Sequence, residues 1–401
     1  MFEPRMFFLL LWGSQIVGYL LSGNQFYPFA AQTWLIFIVG IAAYCIGSSL
    51  AISSLSGQHT HEVRVRMEPG RETILVRRFF LVAQIGFAVA CVVAIKHISS
   101  VLGTDALLSG DMAQLRLAFV NDFIGERELF SSVRVFYFGV GLCIFQLAHA
   151  LKFHPLERVA VLIIGLVSAI ATTGRLYLLL YVLASAYLLH RQQLASKRSV
   201  AILFLGFVLI FFTVALLLDK GSDEGSVFEQ LLWNLRIYLL SSLACFNDYV
   251  TNGTQETPGG ILIPNAVREV LKIGGFSMPE KPNLLPFAMV PLQCNTYTVL
   301  FPLYHDGDWV GVLIGLASIG LLNSYFWLKQ RIAPSPNVLF TYAILLYPLA
   351  MSMFEDAYFS SPGFWLLLWA PPVLLSTLLS AHRTITKPRQ SARKRRVELK
   401  T

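Results

Sequence analysis

Three neighbouring polar side chains near residue 306 are of the types that acid–base chemistry needs. His305, Asp306 and Asp308 precede an apolar run that begins at Trp309. A carboxylate here can accept the proton of an attacking hydroxyl group, and a second carboxylate can orient that group. Alternatively, Asp308 caps the helix that follows, because an acidic residue complements the helix dipole. We therefore take Asp306 as the catalytic candidate and expect His305 to form a hydrogen bond.

Arginine is the second residue type that indicates chemistry. Arg175 follows Thr173 and Gly174 between two apolar runs, and an ionisable residue at membrane depth is usually functional. The alternative is that the side chain of Arg175 extends to the membrane–water interface. Guanidinium groups bind phosphate oxygens in a bidentate manner. We expect at least two arginines on the predicted outer face of the protein to bind an anionic ligand. For each single arginine, an ordinary surface ion pair is the alternative. Besides Arg175, the arginines of the predicted outer face are Arg116, Arg127, Arg134, Arg236 and Arg268.

Two adjacent carboxylates, Glu355 and Asp356, precede the last apolar run. Like charges raise the pKa of one member of such a pair, so the pair could tune a base, and a solvated turn is the equal alternative. The sequence contains no phosphate-binding glycine loop, zinc-binding helix motif, CxxC pair or nucleophile elbow. We therefore expect chemistry without a metal or a cofactor.

The composition is that of a membrane protein. Hydrophobic residues make up 55% of the chain and charged residues 13%, whereas soluble domains carry about 25% charged residues. Runs of about 17–25 apolar residues are long enough to cross a bilayer as helices. We predict an all-α polytopic protein, a single membrane domain over 1–401, with about ten transmembrane helices. They cover about 6–22, 33–55, 79–97, 131–151, 158–173, 176–190, 200–218, 309–327, 338–354 and 362–381.

The distribution of lysine and arginine predicts the orientation. Basic residues concentrate near both ends and in alternate connections, so we predict that the N and C termini are cytoplasmic. Two long segments, 98–130 and 219–308, then lie outside. The basic tail 382–401 is interpreted as an anchor attracted to anionic lipid, and not as a nucleic-acid-binding segment. Within the larger outer loop, Phe228 to Cys245 is predicted to form an interfacial or re-entrant helix.

Small side chains in and after the outer loop carry two further predictions. Cys245 and Cys294 both lie outside, where an oxidising compartment would allow a disulfide. We expect instead two unpaired, half-buried thiols. Gly311 and Gly315, four residues apart, predict that a helix packs closely against this face.

Together these features resemble the Wzy-type oligosaccharide repeat-unit polymerases, which are the O-antigen and capsule polymerases of bacteria. The resemblance lies in Thr173-Gly174-Arg175, in the large outer loop, and in Asn295-Thr296-Tyr297-Thr298 followed by Tyr304, Asp306-Gly307 and Gly311. His305-Asp306-Gly307-Asp308 departs from the usual pattern of the family, which puts the role of the second carboxylate in question.

The resemblance implies a GT-C-like, metal-independent glycosyltransferase of the bacterial inner membrane, with its large loop in the periplasm. It would polymerise undecaprenyl-pyrophosphate-linked repeat units in O-antigen and lipopolysaccharide biosynthesis, with undecaprenyl pyrophosphate as the leaving group. Asp306 and Arg175 would be catalytic. The residues expected to bind substrate are Arg116, Arg127, Arg236, Arg268, Asn295, Tyr297, Tyr304 and His305. Expected partners are the lipid-linked oligosaccharide, membrane lipid and a chain-length-regulating membrane protein, with no nucleic acid.

Two other functions are considered. An O-antigen ligase, which transfers the glycan to lipid A core, would need the same arginines and a functional histidine in the outer loop, so His305 keeps that alternative open. A secondary transporter would carry paired charges near the bilayer midplane. The predicted spans hold almost no such charges, which argues against transport.

Overall fold

The structure, a computed structural model, describes most of the chain. The described residues are 3–23, 26–55, 71–104, 115, 117–119, 129–203, 205–206, 227–253, 259–279, 285–291, 293–359 and 362–398. Arg116 and Arg127 lie outside these ranges, and so does most of the predicted span 200–218.

Helices dominate the described residues, and one two-stranded antiparallel sheet accompanies them, in which Ala288 pairs with Cys294. The helices are α1 Pro4–Leu21, α2 Ala31–Leu55, α3 Arg71–Leu102, α4 Phe130–Ala148, α5 Pro155–Ala171, α6 Arg175–Arg191, α7 Val227–Asn252, α8 Asn265–Ile273, α9 Leu300–Ile332, α10 Pro336–Met351 and α11 Pro362–Glu398. The strands are β1 Ala288–Met289 and β2 Gln293–Cys294.

Six helices among the described residues are long and apolar enough to cross a membrane. These spans are Pro4–Leu21, Ala31–Leu55, Thr73–Leu102, Ser131–Ala148, Leu300–Ile332 and Pro362–Ser380. An all-α membrane protein is therefore confirmed. Three further predicted spans correspond to the shorter helices α5, α6 and α10, so the total of ten stays a prediction.

The short helix α10 lies at the centre of the bundle. Every residue from Leu339 to Met351 is buried, and a helix that is apolar on all sides is expected in such a position. One hydrophobic core joins α10 to α3, α4, α5, α6 and α11. A second core joins α1, α2, α7 and α9 to the segment around the small sheet. The two cores meet at α10, because Leu349 belongs to the second one.

Helices α2 and α9 pack with their backbones in contact. A Cβ atom at Gly47 would overlap the carbonyl of Ala317, and one at Gly320 would overlap the carbonyl of Tyr44. Glycine is required at both positions because a side chain would separate the helices. This pair forms the rigid wall from which the residues around 306 project.

The chain reverses direction inside α9. Asp308 has φ 50° and ψ −145°, outside the helical region. Leu303 lies directly against Gly311 and Gly315, although in a straight helix residues 303 and 315 would be about 18 Å apart. The segment 300–307 therefore folds back along the helix that begins at Trp309. The close approach predicted at both glycines is confirmed, and the packed helix is this preceding segment of the same chain.

Helix α7 is continuous over 26 residues, and it contains the stretch that the sequence marks as interfacial or re-entrant. It packs along α1, where Gly18 lies against Leu239 and Leu240. The Nε2 atom of Gln15 also donates a hydrogen bond to the carbonyl of Leu239 at 3.0 Å. The structure shows an uninterrupted helix beside α1. The interfacial or re-entrant position of this helix in the membrane stays a prediction.

A disulfide joins Cys245 on α7 to Cys294 on β2. The prediction of two unpaired thiols is therefore wrong. Both cysteines fall within the same predicted outer loop, but the sequence does not show that the small sheet returns to α7. The bond ties the segment that leads into the 300–307 hairpin to the helix beside it.

Breaking this disulfide is expected to destabilise the protein. A bond across a separation of 49 residues stabilises the fold by about 2–4 kcal/mol, mainly by restricting the unfolded chain. We expect a reductant to lower the melting temperature of the purified wild type in detergent. The double variant Cys245→Ser/Cys294→Ser should start at the lower temperature and not respond to reductant. Cys45→Ser is the control and should respond to reductant like the wild type. If the wild type had the same melting temperature with and without reductant, the disulfide would not stabilise the fold.

Candidate functional site

Asp306 and the 259–279 loop lie at one end of the bundle, here called the loop end. From the lengths of the helices we infer a recess at this end. Helices α5, α6 and α10 have 17, 17 and 16 residues, so each is about 24–26 Å long. The part of α9 from Trp309 to Ile332 is about 36 Å long, and α10 starts just after it. The last residues of α10 therefore lie about 10 Å below Asp308 by the same helical rise.

Asp306 fastens the loop to the hairpin. Its Oδ1 atom accepts a hydrogen bond from the backbone N–H of Gly260 at 2.8 Å, and its Oδ2 atom accepts one from Leu262 at 2.7 Å. The Nδ1 atom of His305 lies 3.0 Å from Oδ1. Hydrogen bonds of this kind favour the ionised carboxylate. Both oxygens therefore act as fixed acceptors that hold residues 260–262 against the start of α9.

Arg268 holds the same loop together from within. Its side chain is 2% exposed, and its guanidinium donates hydrogen bonds to the carbonyls of Gly260, Ile263 and Pro279. Buried charges are stable only when they are hydrogen-bonded in this way. The structure thus gives Arg268 a loop-stabilising position, and the prediction that it binds substrate stays a prediction.

Tyr304 and His305 lie on the hairpin beside Asp306. The Tyr304 hydroxyl accepts a hydrogen bond from Nε2 of Gln32 on α2 at 2.7 Å, and its ring packs edge-on against Trp309. The imidazole of His305 lies between the rings of Tyr249 and Phe301. Both side chains are partly exposed, so each can reach a ligand at the loop end.

Asn295 and Tyr297 lie in the segment that connects β2 to α9. Tyr297 is buried, stacks on Phe301 with ring centroids 4.4 Å apart, and donates a hydrogen bond to the carbonyl of Pro286 at 3.1 Å. Burial, and secondarily the charge of Asp248, raises the pKa of Tyr297 to about 12. Its hydroxyl therefore stays protonated as a donor within the fold. Asn295 is partly exposed and is the better placed of the two for a ligand.

A set of polar donors fixes the turn that follows α10. Nε1 of Trp12 donates to the hydroxyl of Ser352 at 2.9 Å. The carbonyl of Met353 accepts hydrogen bonds from Nε2 of Gln15 and from the hydroxyl of Ser242. These donors come from α1 and α7, so the turn at residues 352–355 is held from two sides. It forms the floor of the recess.

Aromatic rings surround this floor. Tyr137 on α4 stacks on Tyr177 on α6 with centroids 4.3 Å apart, and Phe364 on α11 lies edge-on to Tyr177 at 5.2 Å. Tyr347 on α10 contacts Phe364 from below. The carboxylate of Glu355 interacts electrostatically with the hydroxyls of Tyr177 and Tyr347. We call this group of four rings and Glu355 the tyrosine cleft.

The predicted arginine cluster is only partly described. Arg175 is the first residue of α6, directly after Gly174, two residues before Tyr177 in the sequence. Arg236 is partly exposed on α7, and Arg134 is exposed on α4. Convergence of these arginines on one anion stays a prediction. Within the described ranges, no three His, Cys, Asp or Glu side chains group as metal ligands would.

Two apolar cavities, each of about 480 Å³, meet at Tyr358 and Phe359. One extends along α9 and α2 as far as Ser54, and the other extends past α11 to the loop. Leu262, whose N–H binds Asp306, lines the second cavity. The two cavities therefore form an apolar path that ends next to the polar residues of the loop end.

Sequence reasoning missed several residues that position the site. Gln15 and Ser242 are polar residues within apolar helices, and Ser352 caps the end of α10. A polar residue within an apolar run is the sequence signal that could have identified the first two, because buried polar groups are hydrogen-bonded. The N–H groups of residues 260 and 262 carry no such signal, because every residue except proline has one.

No protein-family model matches the chain, and no solved structure matches it. One characterised relative from Shigella dysenteriae is 27% identical over 197 residues. That relative is named O-antigen polymerase. The alignment covers 48% of this chain and 49% of the relative, so the chain matches about half of the length of this O-antigen polymerase. The GT-C-like fold stays a prediction.

Proposed function

We propose that this protein is a bacterial membrane glycosyltransferase that polymerises lipid-linked oligosaccharide repeat units. The observation that carries the proposal is the similarity of about half of the chain to an O-antigen polymerase. The membrane fold and the recess at the loop end support it, since a lipid-linked substrate must present its glycan at a membrane surface. Function does not follow from fold alone, so the chemistry of the site has to supply the rest.

The reaction would transfer a growing glycan from undecaprenyl pyrophosphate to a sugar hydroxyl of one lipid-linked repeat unit. The departing pyrophosphate develops negative charge, and preorganised positive groups stabilise such a charge. Arg175 at the start of α6 is our assignment for this role, together with Arg236 or Arg116. Tyr304, His305 and Asn295 are assigned to glycan binding. Since both substrates are held in one bilayer, proximity contributes to the rate.

The apolar cavities at Tyr358 and Phe359 suit the isoprenoid chain of such a substrate. A volume of about 480 Å³ for each cavity falls within the usual range of ligand pockets. Leu262 places the end of one cavity beside Asp306. The catalytic role of Asp306 stays a prediction; in this proposal its carboxylate holds the loop over the glycan, so that the attacking hydroxyl is correctly oriented.

Glycan length in cells is the test of this proposal. A strain that lacks the gene should attach a single repeat unit to its lipid acceptor, and the wild-type gene should restore the ladder of longer chains. Arg175→Ala should fail to restore it at a normal protein level, with a loss of at least about 10²-fold, as for other groups that stabilise transition-state charge. Arg198→Ala is the matched control, because Arg198 is exposed and lies seven residues beyond the far end of α6.

Other outcomes separate the alternatives. Loss of all lipid-attached glycan, with long chains retained on the carrier, would identify a ligase instead. An unchanged ladder in the deletion strain would reject both transferase functions. A chain-length-regulating partner belongs to the same proposal, and its absence should broaden the ladder without abolishing it.

A further inference from the structure

Glu355 is a carboxylate that the proposed function has not yet used. It lies in the turn after α10, and its backbone N–H donates to the carbonyl of Met351 at 2.8 Å. The residues just before it are fixed by Trp12, Gln15 and Ser242, as described above. Its side chain is partly exposed, in contrast to the buried Asp356 beside it. Glu355 is thus a partly exposed carboxylate on a turn that hydrogen bonds hold in place.

A cluster of aromatic rings from several helices lies near Glu355. Tyr137, Tyr177 and Phe364 come from three different helices, and their rings lie within 4.3–6.2 Å of one another. Binding sites are typically lined by aromatic side chains with few, fixed polar groups. Tyr137 and Tyr177 are partly exposed, so the rings present surface to the recess. A sugar could lie on these rings with a hydroxyl group directed at the carboxylate.

The charged and titratable groups around Glu355 set its proton affinity. Burial raises the pKa of Glu355 to about 7, and the neighbouring charge of Asp356 adds to the effect. Tyr177 on α6 and Tyr347 on α10 also interact electrostatically with Glu355. Tyr137 on α4 stacks on Tyr177, and Arg134 interacts electrostatically with Tyr137. A base is most effective when its pKa lies near the working pH. Asp306 differs, because both of its oxygens already accept hydrogen bonds.

We propose that Glu355 is the general base of the transfer and that the tyrosine cleft binds the acceptor sugar. This inference rests on the proposed function. The acceptor oxygen forms a bond to the anomeric carbon of the donor while the bond from that carbon to the pyrophosphate oxygen breaks. The electron pair of that bond leaves with undecaprenyl pyrophosphate. The proton of the acceptor hydroxyl moves to the Glu355 carboxylate and passes to water after release.

The rate of elongation as a function of pH tests this assignment. Purified protein in liposomes would be given lipid-linked single repeat units, and elongation would be followed. Since the carboxylate must be ionised to accept a proton, the wild-type rate should fall about tenfold per pH unit as the pH drops below about 7. Glu355→Gln should lower the rate by about 10²–10⁴-fold and remove this acid limb. Glu355→Asp should retain an acid limb with partial activity.

The controls separate a base from a structural residue. Glu269→Gln removes an exposed carboxylate that pairs with Lys272, and it should leave rate and profile unchanged. A wild type that elongates without an acid limb near pH 7 would overturn the assignment, whatever the variants do. So would a Glu355→Gln variant with the wild-type rate, and in either case the proposed function would stand. A wild type that does not elongate at all would instead contradict the proposed function.

Discussion

Replacing Asp306 by asparagine is expected to reduce polymerisation strongly by releasing the loop. The carboxylate accepts hydrogen bonds from Gly260 and Leu262, and an amide would present an NH₂ group to one of these N–H donors. Hydrogen bonds to charged groups are worth about 1.5–3 kcal/mol each. We therefore expect the amount of longer glycan chains to fall by more than about tenfold when one of these hydrogen bonds is lost. Limited proteolysis should cut the 259–279 loop faster than in the wild type.

Asp308→Asn is the matched control for this change. Asp308 has φ 50°, and asparagine is among the residues that best tolerate positive φ. The substitution should keep both the ladder and the cleavage pattern. If Asp306→Asn also kept both, residue 306 would have neither a catalytic nor a positioning role, and the site described here would have to lie elsewhere in the recess.

Replacing Gly311 by alanine is expected to prevent the hairpin from closing. The added Cβ atom would overlap the backbone carbonyl of Leu303, which cannot move aside as a flexible side chain could. Overpacking costs about 1–3 kcal/mol in ordinary cores, and a backbone clash should lie at the upper end. We expect a lower melting temperature in detergent and loss of the ladder.

Gly307→Ala tests whether this effect depends on the contact. No atom lies within 4 Å of a Cβ placed at Gly307, and alanine is favoured over glycine in a helix by about 1 kcal/mol. This variant should be at least as stable as the wild type. Equal stability of the Gly311→Ala and Gly307→Ala variants would show that segment 300–307 does not pack against residue 311.

The membrane fold could be predicted from the sequence because long apolar runs have few alternatives. The predicted spans 33–55 and 131–151 correspond closely to Ala31–Leu55 and Phe130–Ala148. The reversal at Asp308 could not be predicted, since the segments on both sides are helical. One residue with positive φ decides it, together with the packing of Leu300 against Gly40, a contact between segments 260 residues apart.

The candidate site was predictable only where a side chain carries the chemistry. Asp306 was identified from its type and its place before an apolar run, but its partners are backbone N–H groups, which have no sequence signature. Glu355 shows the same limit. The sequence around Glu355 allows either a solvated turn or a base with a raised pKa. Only the structure, in which that turn lies among α4, α6 and α10, favours the base. The convergence of the arginines stays a prediction.

Elongation of a lipid-linked glycan by the purified protein is the most direct measurement of the central claim. The protein in liposomes would receive undecaprenyl-pyrophosphate-linked single repeat units as the sole substrate, with a chelator present and without nucleotides. The account predicts carrier-linked chains of two or more units and stoichiometric release of undecaprenyl pyrophosphate. Unchanged single units after addition of lipid A core, or their transfer to that core without elongation, would contradict it.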